Sequence, residues 1–110
     1  MKAFNFNDFS VPEWEVTLQN EETPITLVYP SVDAIERFSK IAPELPEAIE
    51  RKDFQVIDNI YQIFTDFFNC NKEKRTFTVE ELKKQIHLEL LEPFTMAYLE
   101  FVSEAKKIKN

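Results

Sequence analysis

Few side chains in this sequence are of a type that could do covalent or acid–base chemistry, and their spacing limits them further. His87 is the only histidine and Cys70 the only cysteine. Nucleophilic triads and zinc centres need such a residue to converge with further partners, and neither has that company. His87 has Lys83 one helical turn before it and Leu91 one turn after it, the setting of a surface or boundary histidine. Cys70 lies in a polar turn beside Asn71 and Lys72 and reads as a plain free cysteine. Glu21-Glu22 and Glu80-Glu81 are adjacent in sequence, so their side chains diverge and cannot oppose each other across a glycosidic bond. The chain has no glycine. That removes phosphate-cradling loops, dinucleotide fingerprints and serine nucleophile elbows, which need conformations or close approaches that glycine alone allows.

One metal arrangement has the right spacing. A helix, a twelve-residue loop and a second helix is the plan of a calcium hand, with Asn69, Asn71, Glu73 and Glu80 at its positions 1, 3, 5 and 12. The chemistry is poor, because the first position lacks Asp, the sharp-turn glycine is replaced by Lys74, and Lys72 and Arg75 add positive charge inside the loop. The residues therefore predict no metal, no cofactor and no enzyme activity.

Charge narrows the partners. The 110 residues carry a net charge of −7. Residues 1–30 hold one basic against five acidic groups, residues 31–69 four against eight, and residues 70–110 eight against seven. A nucleic-acid binder clusters Lys and Arg to neutralise phosphates, and most of this chain would repel them. Lys72, Lys74 and Arg75, and Lys106, Lys107 and Lys109, are the only basic clusters, and they read as a solvated turn and a solvated helix end. Without a cysteine pair or an apolar run of bilayer length, the sequence predicts a soluble, cytoplasmic protein with no membrane partner. The length suits a single domain, residues 1–110, with one core.

Hydrophobic periodicity gives the elements. Phe4 and Phe6 alternate with polar residues in what reads as an extended arm whose aromatics lie on the body. Trp14, Val16 and Leu18, then Ile25, Leu27 and Tyr29, alternate with polar or outward residues and predict a β-hairpin with a loop over Gln19 to Pro24. Ser31 is placed to cap a helix from Val32 to Ala42, which Pro43 and Pro46 stop. A second helical region runs from about Glu47 to Asn69, with a break near Asp53, and carries the cleanest stripe: Ile57, Ile60, Tyr61, Phe64, Phe67 and Phe68. Asn69 or Asn71 is expected to end it in the left-handed conformation. Thr78 and Glu81 then form a capping box with Phe77 and Leu82 as hydrophobic staple, opening a third helix. The stripe Leu90, Phe94, Ala97, Tyr98, Phe101 and Ala105 marks a fourth, with Pro93 expected in its first turn and the terminal lysines at its end. The fold class is α+β, mainly α: an N-terminal β-hairpin packed on a small bundle of three or four helices.

The eleven phenylalanines are mostly core material, but so small a domain is expected to leave some aromatic surface exposed for a partner. The candidates for partner binding are Phe67, Phe68, Phe94, Tyr98 and Phe101.

The arm Phe4-Asn5-Phe6-Asn7-Asp8-Phe9, the strand Trp14-Glu15-Val16-Thr17-Leu18, the hinge from Asn69 to Leu82 and the closing Ala97-Tyr98 and Phe101 together resemble the small tail assembly chaperones of long-tailed phages and prophages of low-GC Gram-positive bacteria. The resemblance covers most of the chain. It departs at Lys74, where a glycine is expected, and at Pro93, which interrupts the start of the last helix. Such a resemblance implies a non-catalytic protein that coats the long, aggregation-prone tape measure protein in the host cytoplasm and is absent from the finished virion. It implies the tape measure protein as partner, with the tail-tube protein and a second copy of the chain as further candidates. It also implies a longer product made by a frameshift near Lys106 and Lys107. The competing expectation is a small acidic regulator or inhibitor acting by protein–protein binding.

Overall fold

The computed structural model describes residues 3–104. Strands β1 (Glu13–Val16) and β2 (Ile25–Val28) form the predicted antiparallel hairpin, with Trp14 opposite Leu27 and Val16 opposite Ile25. The two-residue period turns these four side chains to one face. Leu18, Ile25 and Leu27 are buried there, and Trp14 and Val16 pack against the core, while Glu13 and Glu15 point to solvent. An isolated hairpin is marginal in water. Here the free edge of β2 is closed by the segment after the longest helical stripe: Val28 N–H donates to the Cys70 carbonyl at 3.1 Å and Lys72 N–H to the Thr26 carbonyl at 3.0 Å.

Five α-helical segments follow among the described residues, and they group as four. Helix α1 (Val32–Ile41) is capped by Ser31, whose Oγ accepts the Ala34 N–H at 3.2 Å. It ends just before Pro43, as expected, but no loop follows. A 3-10 turn over Ala42–Glu44 carries the chain directly into α2 (Leu45–Arg51), because Pro43 and Pro46 each fall in a first turn, where the missing N–H has no intrahelical partner to lose. Lys52, left-handed at φ 57°, ends α2, and Asp53 caps α3 (Phe54–Phe68), so the break near Asp53 falls where it is predicted. All six residues of the α3 stripe are buried, and α3 packs on α1, α2, β2 and α4 (Val79–Gln85).

The last helix, α5 (Leu88–Glu104), begins earlier than expected, so Pro93 lies in its second turn rather than its first. The cost is the carbonyl of Glu89, which has no N–H to accept. Both Glu89 and Pro93 face solvent, where water can serve that carbonyl.

The arm also differs from expectation. The Asn5 side chain accepts the Asn7 N–H at 3.0 Å and opens a 3-10 turn over Phe6–Asp8 in place of an extended strand. Phe4 packs on Phe6 and Phe9, with ring centroids 4.9 and 5.2 Å apart, and Phe4 and Phe6 stay 63% and 82% exposed rather than lying on the body. Ala105 and the lysines at 106, 107 and 109, with the helix end and frameshift expected there, lie outside the described residues. No described helix is long and apolar enough to cross a membrane.

Candidate partner-binding groove

The hinge between α3 and α4 is held by two asparagine amides. Asn69 is right-handed, not left-handed, and its side chain spans the loop: Oδ1 accepts the Phe77 N–H at 2.6 Å and Nδ2 donates to the Phe77 carbonyl at 3.2 Å. Asn71, buried, donates through Nδ2 to the Phe68 and Arg75 carbonyls at 2.7 and 2.8 Å and accepts the Arg75 N–H at 2.9 Å. Each amide replaces a missing peptide partner. The left-handed residue is Lys74, at φ 60°, the position where the resemblance expects glycine. A left-handed lysine is tolerable because the two amides over-determine the loop around it.

The capping box forms as predicted: Thr78 Oγ1 accepts the Glu81 N–H and Glu81 Oε1 accepts the Thr78 N–H, each at 3.2 Å, with Phe77 and Leu82 both buried. Glu73 turns to the hairpin, where its oxygens accept Thr26 N–H at 2.8 Å and Thr26 Oγ1–H at 3.0 Å. The backbone hydrogen bond from Thr26 holds the Glu73 carboxyl below the ordinary carboxylate range. Glu21 is lowered in the same way by its hydrogen bonds to Arg75. Three side chains of the calcium-hand pattern, Asn69, Asn71 and Glu73, are thus committed to holding the loop against the hairpin. Cys70 and His87 are exposed.

The candidate aromatics fall into two groups. Phe67, Phe68 and Tyr98 are core residues, at most 4% exposed, and present nothing to a partner. Phe94 and Phe101 are half-buried, and Trp14 lies against both, stacked at 5.5 and 5.3 Å between centroids. Tyr29 adds an edge contact to Phe101 at 5.6 Å and donates its hydroxyl to the Val102 carbonyl at 3.0 Å. The aromatic side of α5 that the sequence offers to a partner is therefore taken by the chain's own hairpin, which must bury its apolar face somewhere.

An uncovered apolar surface lies on the other side of α5. Helical spacing brings Glu92, Thr95, Met96 and Leu99 to one stripe, which faces the turn between α1 and α2 across a groove of about 350 Å³. Leu45 and Thr95 are its buried floor. Pro43 and Pro46 form one rim, and Met96 and Leu99 form the other, 66% and 37% exposed. The buried Thr95 hydroxyl has no hydrogen-bond partner among the described residues, and neither has that of Tyr98 nearby in α5. Burial pushes the Tyr98 phenol up to about 12. A smaller cavity of about 320 Å³ lies between the end of β1 and the α4–α5 junction, where the Gln85 side chain accepts the Gln19 N–H at 2.9 Å and ties the two sides together.

Compared with known proteins, the chain matches no family model, and no curated protein or solved structure aligns with it significantly.

Sequence periodicity could have found the groove. Met96 and Leu99 are among the apolar residues of α5 left over once Leu90, Phe94, Ala97, Tyr98 and Phe101 are assigned to one stripe, and a second stripe on one helix signals a second surface. The opposite wall carries no such signal, since it depends on the chain running through Pro43 and Pro46 as a turn.

Proposed function

We propose that this chain is a non-catalytic tail assembly chaperone, which binds and solubilises a tape measure protein in the host bacterial cytoplasm during phage tail morphogenesis. The observation that carries it is the open apolar groove between α5 and the α1–α2 turn, whose Met96 and Leu99 rim is the kind of surface that takes one face of an amphipathic helix. The resemblance implies a tape measure protein that is long, helical and prone to aggregate, the kind of ligand such a surface would shield. The adaptable thioether of Met96 suits a surface that must accept many related stripes. A net charge of −7 keeps the resulting complex dispersed. The resemblance of the arm, hairpin and hinge to tail assembly chaperones points the same way.

Co-expression with the tape measure protein encoded beside it tests the proposal. The expected result is a tape measure protein that moves from the insoluble to the soluble fraction and co-purifies with this chain. If it stays insoluble and no complex is recovered, the assignment falls, and a small acidic regulator acting through the same groove takes its place.

A further inference from the structure

We infer that the groove selects helices whose apolar stripe is bordered by lysine or arginine. The inference rests on the helix-binding part of the proposal above and not on the identity of the tape measure protein. The charge on the α5 side of the groove is one-sided. Helix α5 carries Glu89, Glu92, Glu100 and Glu104 and no basic residue, and Glu92 lines the groove, whereas the opposite side, Ser39, Ala42, Pro43, Leu45 and Pro46, brings no charged side chain into it. Arg51 is committed to Glu47 at 2.5 Å. Lys40, in the last turn of α1, and Lys52, which ends α2, are the other cations next to that wall in sequence.

The α5 carboxylates have no ion-pair partner among the described residues, whereas Glu13, Glu21, Asp58 and Asp66 are each paired elsewhere on the molecule. Their placement on the helix is also one-sided. Glu92 lies in the groove, and at about 100° per residue Glu89 and Glu100 fall within roughly 60–80° of it, on the same flank as Met96. Like charges three or four residues apart, as in Glu89 with Glu92 and Glu100 with Glu104, weaken a helix rather than support it. An apolar floor with an acidic border along α5 is electrostatically complementary to an apolar stripe with a basic border. From Glu92 to Leu99 the stripe covers about two helical turns, so the ligand supplies apolar residues at positions i, i+3, i+4 and i+7 with Lys or Arg beside them.

The test uses the full chain and synthetic helical peptides of about 18 residues, long enough to hold helix in water. They share one leucine stripe and differ only in whether its flanks are Lys or Glu, and binding is read by fluorescence anisotropy. The Lys-flanked peptide is expected to bind at least about tenfold more tightly at low salt, as several partly exposed charge pairs would give, with the ratio shrinking as salt screens them. Glu92→Lys with Glu100→Lys should reverse the order. Met96→Asp, at an exposed site, should abolish binding of both peptides without changing the far-UV circular dichroism.

Equal binding of the two peptides overturns the inference, as does a preference that survives the charge reversal. So does a groove filled by a second copy of the chain, seen as a dimer that Met96→Asp dissociates and neither peptide displaces. Binding of the Lys-flanked peptide without any tape measure complex leaves the inference standing and removes the chaperone assignment. A tape measure complex that the Lys-flanked peptide cannot compete for does the reverse.

Discussion

Replacing Asn71 by Ala should destabilise the fold more than any other single polar substitution in the hinge. The side chain is 8% exposed and makes three hydrogen bonds, all to backbone: Phe68 O at 2.7 Å, Arg75 O at 2.8 Å and Arg75 N at 2.9 Å. Each contributes about 0.5–1.5 kcal/mol net, and leaving a buried backbone group unpaired costs about 1–3 kcal/mol. The Phe68 carbonyl belongs to the last turn of α3, and water can reach the exposed Arg75 groups more easily than Phe68. Discounting the two Arg75 bonds for that reason gives a loss of about 2–4 kcal/mol. At roughly 4–8 °C per kcal/mol for a chain of this size, the melting temperature should fall by at least about 10 °C. Thermal and urea denaturation followed by circular dichroism measure it. Asn71→Asp is the discriminating control, since a carboxylate keeps the acceptor for Arg75 N–H but loses both donors, and it should recover only a minor part of the loss. A change below about 0.5 kcal/mol for Asn71→Ala would refute the reasoning, because it would mean that the amide does not hold the hinge.

Other perturbations read other parts of the structure. Thr78→Ala removes the cap of α4 and should cost about 1 kcal/mol, while Phe77→Ala, at a site 4% exposed, should cost about 3–5 kcal/mol; equal small effects would mean that α4 is not anchored there. Tyr61→Phe should cost about 1–3 kcal/mol, because its buried hydroxyl donates to the Ile86 carbonyl at 2.5 Å, whereas Tyr98→Phe should be neutral or slightly stabilising, since that hydroxyl has no partner among the described residues; matched denaturation curves compare the two. Glu21 and Glu73 have folded pKa values below their unfolded ones. Their contribution is complete above the ordinary carboxylate range and is lost as pH falls through the lowered folded values, so Glu21→Gln with Glu73→Gln should flatten the acid limb of a stability-against-pH profile.

The local signals in the sequence carry most of the fold. The alternation from Trp14 to Leu18, the α3 stripe and the Thr78–Glu81 box each depend on neighbours within a few residues, and each appears where it is predicted. The misses come from competition between elements. Nothing local says that Trp14 will cover Phe94 and Phe101, which turns a candidate partner surface into the seat of the hairpin. Asn69 and Asn71 have the composition of left-handed helix stops, yet their amides are worth more as loop braces, and the left-handed position passes to Lys74. Met96 and Leu99 are two of several apolar positions on α5 outside its main stripe, and the wall that makes them a groove comes from the α1–α2 turn, distant in sequence.

The most direct measurement of the central claim is co-purification of the co-expressed tape measure protein with the wild-type chain and with Met96→Asp, a variant whose folding is checked by its melting curve. The groove-based account expects a stoichiometric soluble complex with the wild type and loss of that complex with Met96→Asp at unchanged melting temperature. A complex that forms equally well with both, or with neither, would contradict it.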